Sequence, residues 1–283
     1  MRGRAAALGA GTVLNALSTG VGSAFAIDAE TTATVELDGS GDVTGTIAGA
    51  DGGDTRLIER CVELAIDAYG DGEVYGGTVR TESDVPMAAG LKSSSAAANA
   101  TVLATADAAG ADPDPLAACR LGVRAARETG VTVTGAFDDA SASMLGGVTV
   151  TDNRDDDLLA RDEVGWDVLV WTPDERAYSA DADVERCADV APMAELVADL
   201  ALDGRYAAAM TVNGLAFSAA LGFSPDPAVE AMPHVAGVSL SGTGPSVVAV
   251  GDADGLDRVH DRWSERSGRT WRTTTRTDGA RIL

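Results

Sequence analysis

Apolar and polar residues alternate with a period of two along Thr34-Val35-Glu36-Leu37 and again from Val43 to Ile47. The turn-forming run Asp38-Gly39-Ser40-Gly41-Asp42 lies between them, so residues 31–48 predict a β-hairpin. The period then changes. Leu57, Ile58, Cys61, Val62, Ala65 and Ile66 fall on one helical face, which predicts a helix over 55–69 ended by Gly70. Residues 76–83 return to a strand pattern, Pro86 to Leu91 reads as a loop, and Ser93 to Ala109 as a helix of small residues closed by Gly110. Asp114 is placed to cap a further helix reaching Glu128 before Gly130. Val131–Phe137 and Gly147–Thr151 have strand character on either side of Asp138-Asp139.

In the second half, 167–171 predicts a strand, and 192–202 and 204–221 predict helices. Strands are expected at 235–240 and 247–250 around a Gly/Ser/Thr turn, followed by a helix over 255–266 and a strand over 270–275. Strands and helices are mixed without the regular alternation of a doubly wound sheet, so the expected class is α+β. A chain of 283 residues favours two lobes. The acidic stretch near 152–163 is the natural boundary, dividing 1–155 from 156–283.

Composition narrows the setting. Hydrophobic residues make up 45% of the chain and aromatic ones only 4%, so the core must be built from Ala, Val, Leu and Ile. The net charge is −23, with 20 Arg and a single Lys. That balance excludes nucleic acid and anionic membrane surfaces as partners, because both require positive patches. Charges interspersed with regular apolar segments exclude a disordered acidic chain, and a salt-adapted cytoplasm is the expected setting. No apolar run approaches the roughly 20 residues that span a bilayer. Ser23-Ala24-Phe25-Ala26 resembles a signal-peptidase site, but Gly9, Gly11, Thr12 and Asn15 break the apolar block that a secretion signal needs. Cys61, Cys119 and Cys187 are far apart and fit buried free thiols, and His234 and His260 offer no zinc spacing.

Three segments carry chemistry. Pro86-Met87-Ala88-Ala89-Gly90-Leu91-Lys92-Ser93-Ser94-Ser95-Ala96 places small residues and three hydroxyls at a helix start, whose first amide hydrogens point outward. Those groups suit a triphosphate, and a hydroxyl there can also hold Mg²⁺. Lys92 is the only lysine, which suggests a compact point charge is needed at that place. A serine-rich helix cap explains the segment equally well, and Walker A and Ser/Lys amidase patterns are absent. Ser239-Leu240-Ser241-Gly242-Thr243-Gly244-Pro245-Ser246 reads as a second anion nest or as a plain hairpin turn. In Thr134 to Gly147, Asp138 and Asp139 form either a capping pair or a site where one carboxylate takes a hydroxyl proton or helps to hold a metal.

Taken together, these segments resemble the GHMP kinases. Pro86-x-x-x-Gly90-Leu91-x-Ser93-Ser94 is similar to their second motif, and Gly242-Thr243-Gly244-Pro245-Ser246 to their third. Asp138-Asp139-Ala140 is similar to the segment that supplies the catalytic aspartate. The variant forms, together with Gly11 to Leu17, Gly22 to Asp28 and Asn213-Gly214 before Phe217 to Gly222, resemble the archaeal shikimate kinase branch.

The resemblance implies a two-lobed fold, with the ATP loop and catalytic aspartate in the N-terminal lobe and the glycine-rich loop in the C-terminal one. It implies ATP and Mg²⁺ as cofactors and transfer of the γ-phosphoryl group to the 3-hydroxyl of shikimate. Pro86, Met87, Ala88, Ala89, Gly90, Leu91, Lys92, Ser93, Ser94, Ser95, Gly242, Thr243 and Gly244 would then hold ATP, with Ser94 at the metal. Asp138 and Lys92 would be catalytic, with Asp139 the second choice as base, while Asn15, Ser18, Thr19 and Asn213 would contact the acceptor. An Arg is expected for the shikimate carboxylate, and a homodimer is compatible. The Pro-Gly-Arg/Lys form of the first motif is missing, so acceptor contacts of galactose and mevalonate enzymes do not carry over. Homoserine or mevalonate kinases and a non-catalytic ligand sensor are the alternative readings.

The charge excess has a direct consequence. Raising salt from about 0.1 M to 1 M shortens the screening length from about 10 Å to about 3 Å, so the melting temperature should climb over that range. A melting temperature indifferent to salt would contradict the salt-adapted reading.

Overall fold

The computed structural model describes residues 1–283 apart from 51, 73, 75, 87–88, 133–134 and 175–183. Two long antiparallel strands, β1 (Arg2–Leu14) and β2 (Val21–Asp38), form its spine. Next come β3 (Val43–Ile47), α1 (Arg56–Tyr69), β4 (Gly76–Ser83), α2 (Ser93–Ala108), α3 (Pro115–Glu128), α4 (Phe137–Leu145), β5 (Val148–Asp152) and β6 (Asp157–Asp162). The second half contains β7 (Asp167–Thr172), α5 (Val184–Ala188), α6 (Ala191–Leu202), α7 (Tyr206–Leu221), α8 (Asp226–Ala231), β8 (Gly237–Leu240) and β9 (Val247–Gly251). It closes with α9 (Ala253–Trp263), β10 (Arg269–Thr274) and β11 (Arg281–Ile282). The architecture is α+β, as the mixed pattern predicts.

The first sheet runs β11-β1-β2-β4-β3, and the β5–β6 hairpin joins it along β2. The second sheet is antiparallel, in the order β10-β7-β9-β8. Helices α1, α2 and α4 cover the first sheet, with α3 packed on them, over an apolar cluster that includes Val35, Val62, Val79, Val102 and Phe137. A second cluster joins Val170, Phe217, Leu240 and Trp263 to Val13 and Phe25 on the β1–β2 ribbon. The ribbon therefore belongs to both cores. Strand β6 and the C-terminal β11 also return to the first sheet, against β5 and β1.

Two local expectations change. The turn at 38–42 forms, but β4 lies between β2 and β3, so these strands are not a hairpin. Strand β4 is antiparallel to β2 with Val35 opposite Val79, and parallel to β3 through the crossover helix α1. The extended pattern read over 131–137 ends differently too. Gly135 (φ +87°) and Ala136 (φ +51°) both adopt left-handed backbone, which turns the chain so that Phe137 opens a helix.

A core of small residues lets backbones approach closely. A Cβ built on Gly3 of β1 would fall 2.1 Å from the Ala104 carbonyl oxygen and 2.5 Å from the Ala108 nitrogen of α2. Neither obstacle is a flexible side-chain end, so α2 is seated on β1 by the absence of that carbon. Gly3→Ala should cost about 1–3 kcal/mol, as overpacked cores do. The measurement is a lower urea midpoint at unchanged slope.

Candidate active site

Two helices begin at one cleft, each from a residue forced into left-handed backbone: Lys92 (φ +65°) before α2 and Ala136 (φ +51°) before α4. Neither N-cap residue caps its own helix with its side chain, so the first-turn amides of α2 point outward, while on α4 the Asp138 amide donates to Asn153 Oδ1. The cleft is lined by Thr12, Asn15, Lys92, Asp138, Asp139 and Gly242, among others. Strand ends from both sheets thus meet two helix N-termini, whose partial positive charge favours an anion.

The two glycine loops are sutured to each other. A Cβ on Gly90 (φ +75°) would lie 2.2 Å from the Ser241 carbonyl oxygen, so only glycine permits this approach. The Ser241 hydroxyl donates to the Gly90 carbonyl at 2.8 Å. The Gly242 amide donates to Thr12 Oγ1 at 2.7 Å, and Asn15 Nδ2 donates to the Gly242 carbonyl at 2.9 Å. Behind Asn15, Asn213 accepts from the Asn15 amide and donates to Ser239 Oγ, both at 2.9 Å.

The two carboxylates on the first turn of α4 have different surroundings. Asp139 Oδ1 is ion-paired with Lys92 Nζ at 2.9 Å. Asp138 is buried, and its Oδ1 accepts from Asn153 Nδ2 at 2.7 Å. Gly22 presses against its other side, where a Cβ would fall 2.5 Å from Oδ2. Burial, reinforced by the neighbouring Asp139 charge, pushes the Asp138 carboxyl up to about 7 against the opposing pull of Lys92 and Asn153. A carboxylate held in that range is suited to accept a proton near neutral pH.

The expected site residues fall into distinct groups. Lys92, Asp138, Gly242, Thr243 and Asn15 line the cleft together. Ser94 and Ser95 open instead onto an adjoining hollow between α2 and α3, which shares Thr132 and Ala136 with the cleft. Pro86 is half-buried, and the Ala89 and Leu91 side chains sit in the core, leaving their backbone as the part able to face a ligand. Met87 and Ala88 lie outside the described residues. Ser93 is half-buried at the start of α2, and Gly244 has its open side filled by the Phe223 ring.

Asn213, expected at the acceptor, is buried, with both amide ends engaged, and acts as a support for Asn15. Ser18 and Thr19 are outside the cleft lining, and Thr19 Oγ1 accepts from the Val21 amide at 3.4 Å. The sequence pattern also missed Asn153, because it sits in an acidic run that reads as a solvated turn. Among the described residues no cluster of three His, Cys, Asp or Glu side chains is placed to hold a metal.

The fold and the site define a class. Residues 56–147 match the GHMP kinases N terminal domain. A homoserine kinase from Cytophaga hutchinsonii superimposes with a TM-score of 0.77 at 16% identity, covering 100% of this chain and 97% of the other. The Methanococcus jannaschii mevalonate kinase gives a TM-score of 0.75 at 13% identity, covering 97% of each chain. At these identities the likeness is one of fold. The sequence likeness is closer: a shikimate kinase from Halobacterium salinarum is 65% identical over 284 residues, covering 99% of each chain. A shikimate kinase from Methanosarcina mazei is 50% identical, covering 99% of this chain and 96% of the other. The chain belongs to the GHMP kinases and, within them, to the shikimate kinase family.

Keeping Asp138 out of water has a cost that can be measured. Well below the ordinary value of 3.8 the carboxyl is protonated in folded and unfolded chains alike. As pH rises toward 7 only the unfolded chain ionises freely, so stability is lost until the folded carboxyl also ionises. Asp138→Asn retains the acceptor for Asn153 and cannot ionise. It should be more stable than the parent at pH 8 by on the order of 2 kcal/mol, with the gain vanishing by about pH 3 in urea melts at the two values.

Proposed function

We propose that the protein transfers the γ-phosphoryl group of ATP to the 3-hydroxyl of shikimate, giving shikimate 3-phosphate and ADP. Sequence likeness supplies the acceptor, and the observation that carries the mechanism is the buried Asp138 beside the Lys92–Asp139 ion pair, where the starts of α2 and α4 meet. Asp138 takes the proton of the 3-hydroxyl as that oxygen bonds to phosphorus, and the bond from phosphorus to the leaving β-phosphate oxygen breaks. Asp139 is the less suited base because its charge is matched by Lys92. Lys92 holds the α4 start in place and presents positive charge to the transferred group. The amides of the first turn of α2 cradle phosphate oxygens, and Asn15 and Thr12 fix the Gly242 loop against them.

The donor set fits Mg²⁺ only as a partner of the nucleotide. Ser94 is exposed on the first turn of α2 and offers one hard oxygen, while phosphate and water would supply the remainder. When bound, the ion neutralises charge on the transferred phosphate. Within this reading the lobes divide as 1–155 and 156–283, with β6 and β11 returning to the first sheet, and the enzyme works in a salt-adapted cytoplasm.

A coupled ADP assay with shikimate, homoserine and mevalonate tests the acceptor. Shikimate should be turned over at least tenfold faster than the others, and Asp138→Asn should lose more than tenfold, or about 1.4 kcal/mol of barrier. Preference for homoserine or mevalonate would assign another acceptor. Absence of ADP release with all three would indicate a ligand sensor.

A further inference from the structure

We infer that Asn153 is the positioning residue for Asp138 and that helix α3 holds it in place through Asp156. The inference rests on Asp138 being the base. It begins from the pairing of β5 with β2, which sets Thr151 opposite Gly22, continued by the Asn153 amide donating to the Gly20 carbonyl at 2.8 Å. Gly22, Thr151 and Asn153 consequently share the face on which the first turn of α4 rests.

One amide group then fixes the aspartate from two directions. Asn153 Nδ2 donates to Asp138 Oδ1 at 2.7 Å, and Asn153 Oδ1 accepts from the Asp138 backbone amide at 3.1 Å. Thr151 Oγ1 donates to the same Asn153 Oδ1 at 2.8 Å, and the Asp138 amide, which can only donate, fixes which end of the Asn153 amide faces which partner. With Oδ1 held and Gly22 backing the carboxylate, side chain and helix start are fixed as one unit. Asn153 is itself buried. The charged groups acting on Asp138 are Asp139 of its own helix and Lys92 ahead of α2, while Asn153, Thr151 and Gly22 are neutral.

The turn that carries Asn153 is clamped from α3. Asp156 is a non-glycine residue in left-handed backbone, at φ +55°. Arg127 Nη1 and Nη2 grip its two carboxylate oxygens at 2.6 and 2.7 Å. Arg120 Nη2 donates to its carbonyl at 3.0 Å, and Arg127 Nη2 also donates to the Asn153 carbonyl at 3.1 Å. The Arg127 guanidinium lies over Gly135, where a Cβ would meet Nε at 2.3 Å, so the same arginine borders the segment entering α4. An acidic turn that reads as solvated surface is thereby tied to the reacting group.

The test is the pH profile of turnover. Asn153→Ala should lower kcat by about tenfold to a hundredfold while the Michaelis constant for ATP stays within about twofold, since the misplaced group is the base. The acid limb of kcat should move to higher pH by about one unit, because the carboxylate loses a donor that favours its charged form. In an Asp138→Asn background the same substitution should bring no further loss. Asn153→Asp keeps the side-chain shape and the acceptor for the Asp138 amide, so it serves if the alanine variant does not fold. It should move the acid limb the same way. An unmoved acid limb in both variants, or an equal loss with and without Asp138, would overturn the inference while leaving the base in place. Full turnover by Asp138→Asn alone would overturn the base and this inference together.

Discussion

A carboxylate kept out of water, and required to ionise if it is the base proposed above, is the constraint on which this structure turns. Burying a charge is costly unless partners replace its lost hydration. Asp138 has few: a side-chain amide donor and a nearby ammonium that is already paired, while the like charge of Asp139 on the same helix turn adds to the cost. The surroundings can be read as answers to that difficulty. Gly22 supplies room where a side chain would collide, Ala136 bends the chain so that a helix start points at the cleft, and Asn153 holds one oxygen. Lys92 cannot be replaced in kind by an arginine at this site, because its compact ammonium lies so near Gly242 that a Cβ there would be 2.7 Å from Nζ.

The arginine-rich surface follows a different rule. Many arginines pair with a carboxylate two residues away, as Arg56 does with Asp54 and Arg276 with Asp278. Exposed pairs of this kind contribute little individually. Their service is local: a planar fork held by its own neighbour keeps an acidic surface from carrying stray positive charge. Arg127 differs, since its partner Asp156 shares the turn that carries Asn153, the side chain bonded to Asp138. The distinction between a decorative pair and a structural one thus depends on what stands behind the carboxylate.

Much of the fold was legible in the residue pattern because local physics decides it. Leu57 to Ile66 specify α1, Asp114 caps α3 by accepting from Ala117, and Val247 to Val250 can be little other than a buried strand. Strand β1 was not legible, since its Ala- and Gly-rich sequence has no period of two until β2 covers it. The pairing of β2 with β4 was hidden for a related reason: a turn signal shows that the chain reverses, but not which strand fills the vacated edge. Within the site, Lys92, Asp138 and Gly242 announced themselves by composition and motif. Asn153 did not, because its meaning comes from lying under Asp138 after two strands have paired, and no spacing along the chain encodes that.

The suture between the two glycine loops bears on how the molecule comes into being. Its hydrogen bonds join residues separated by 151, 227 and 230 positions. Contacts of such sequence separation close large loops and form late, after local helices and hairpins have organised. A nascent chain that has emerged only as far as β7 would own the lysine and both carboxylates yet lack the Gly242 loop. If the Gly242 loop takes part in holding nucleotide as proposed, full nucleotide affinity belongs to the finished chain. During synthesis its appearance would mark the moment at which the second half docks onto the first.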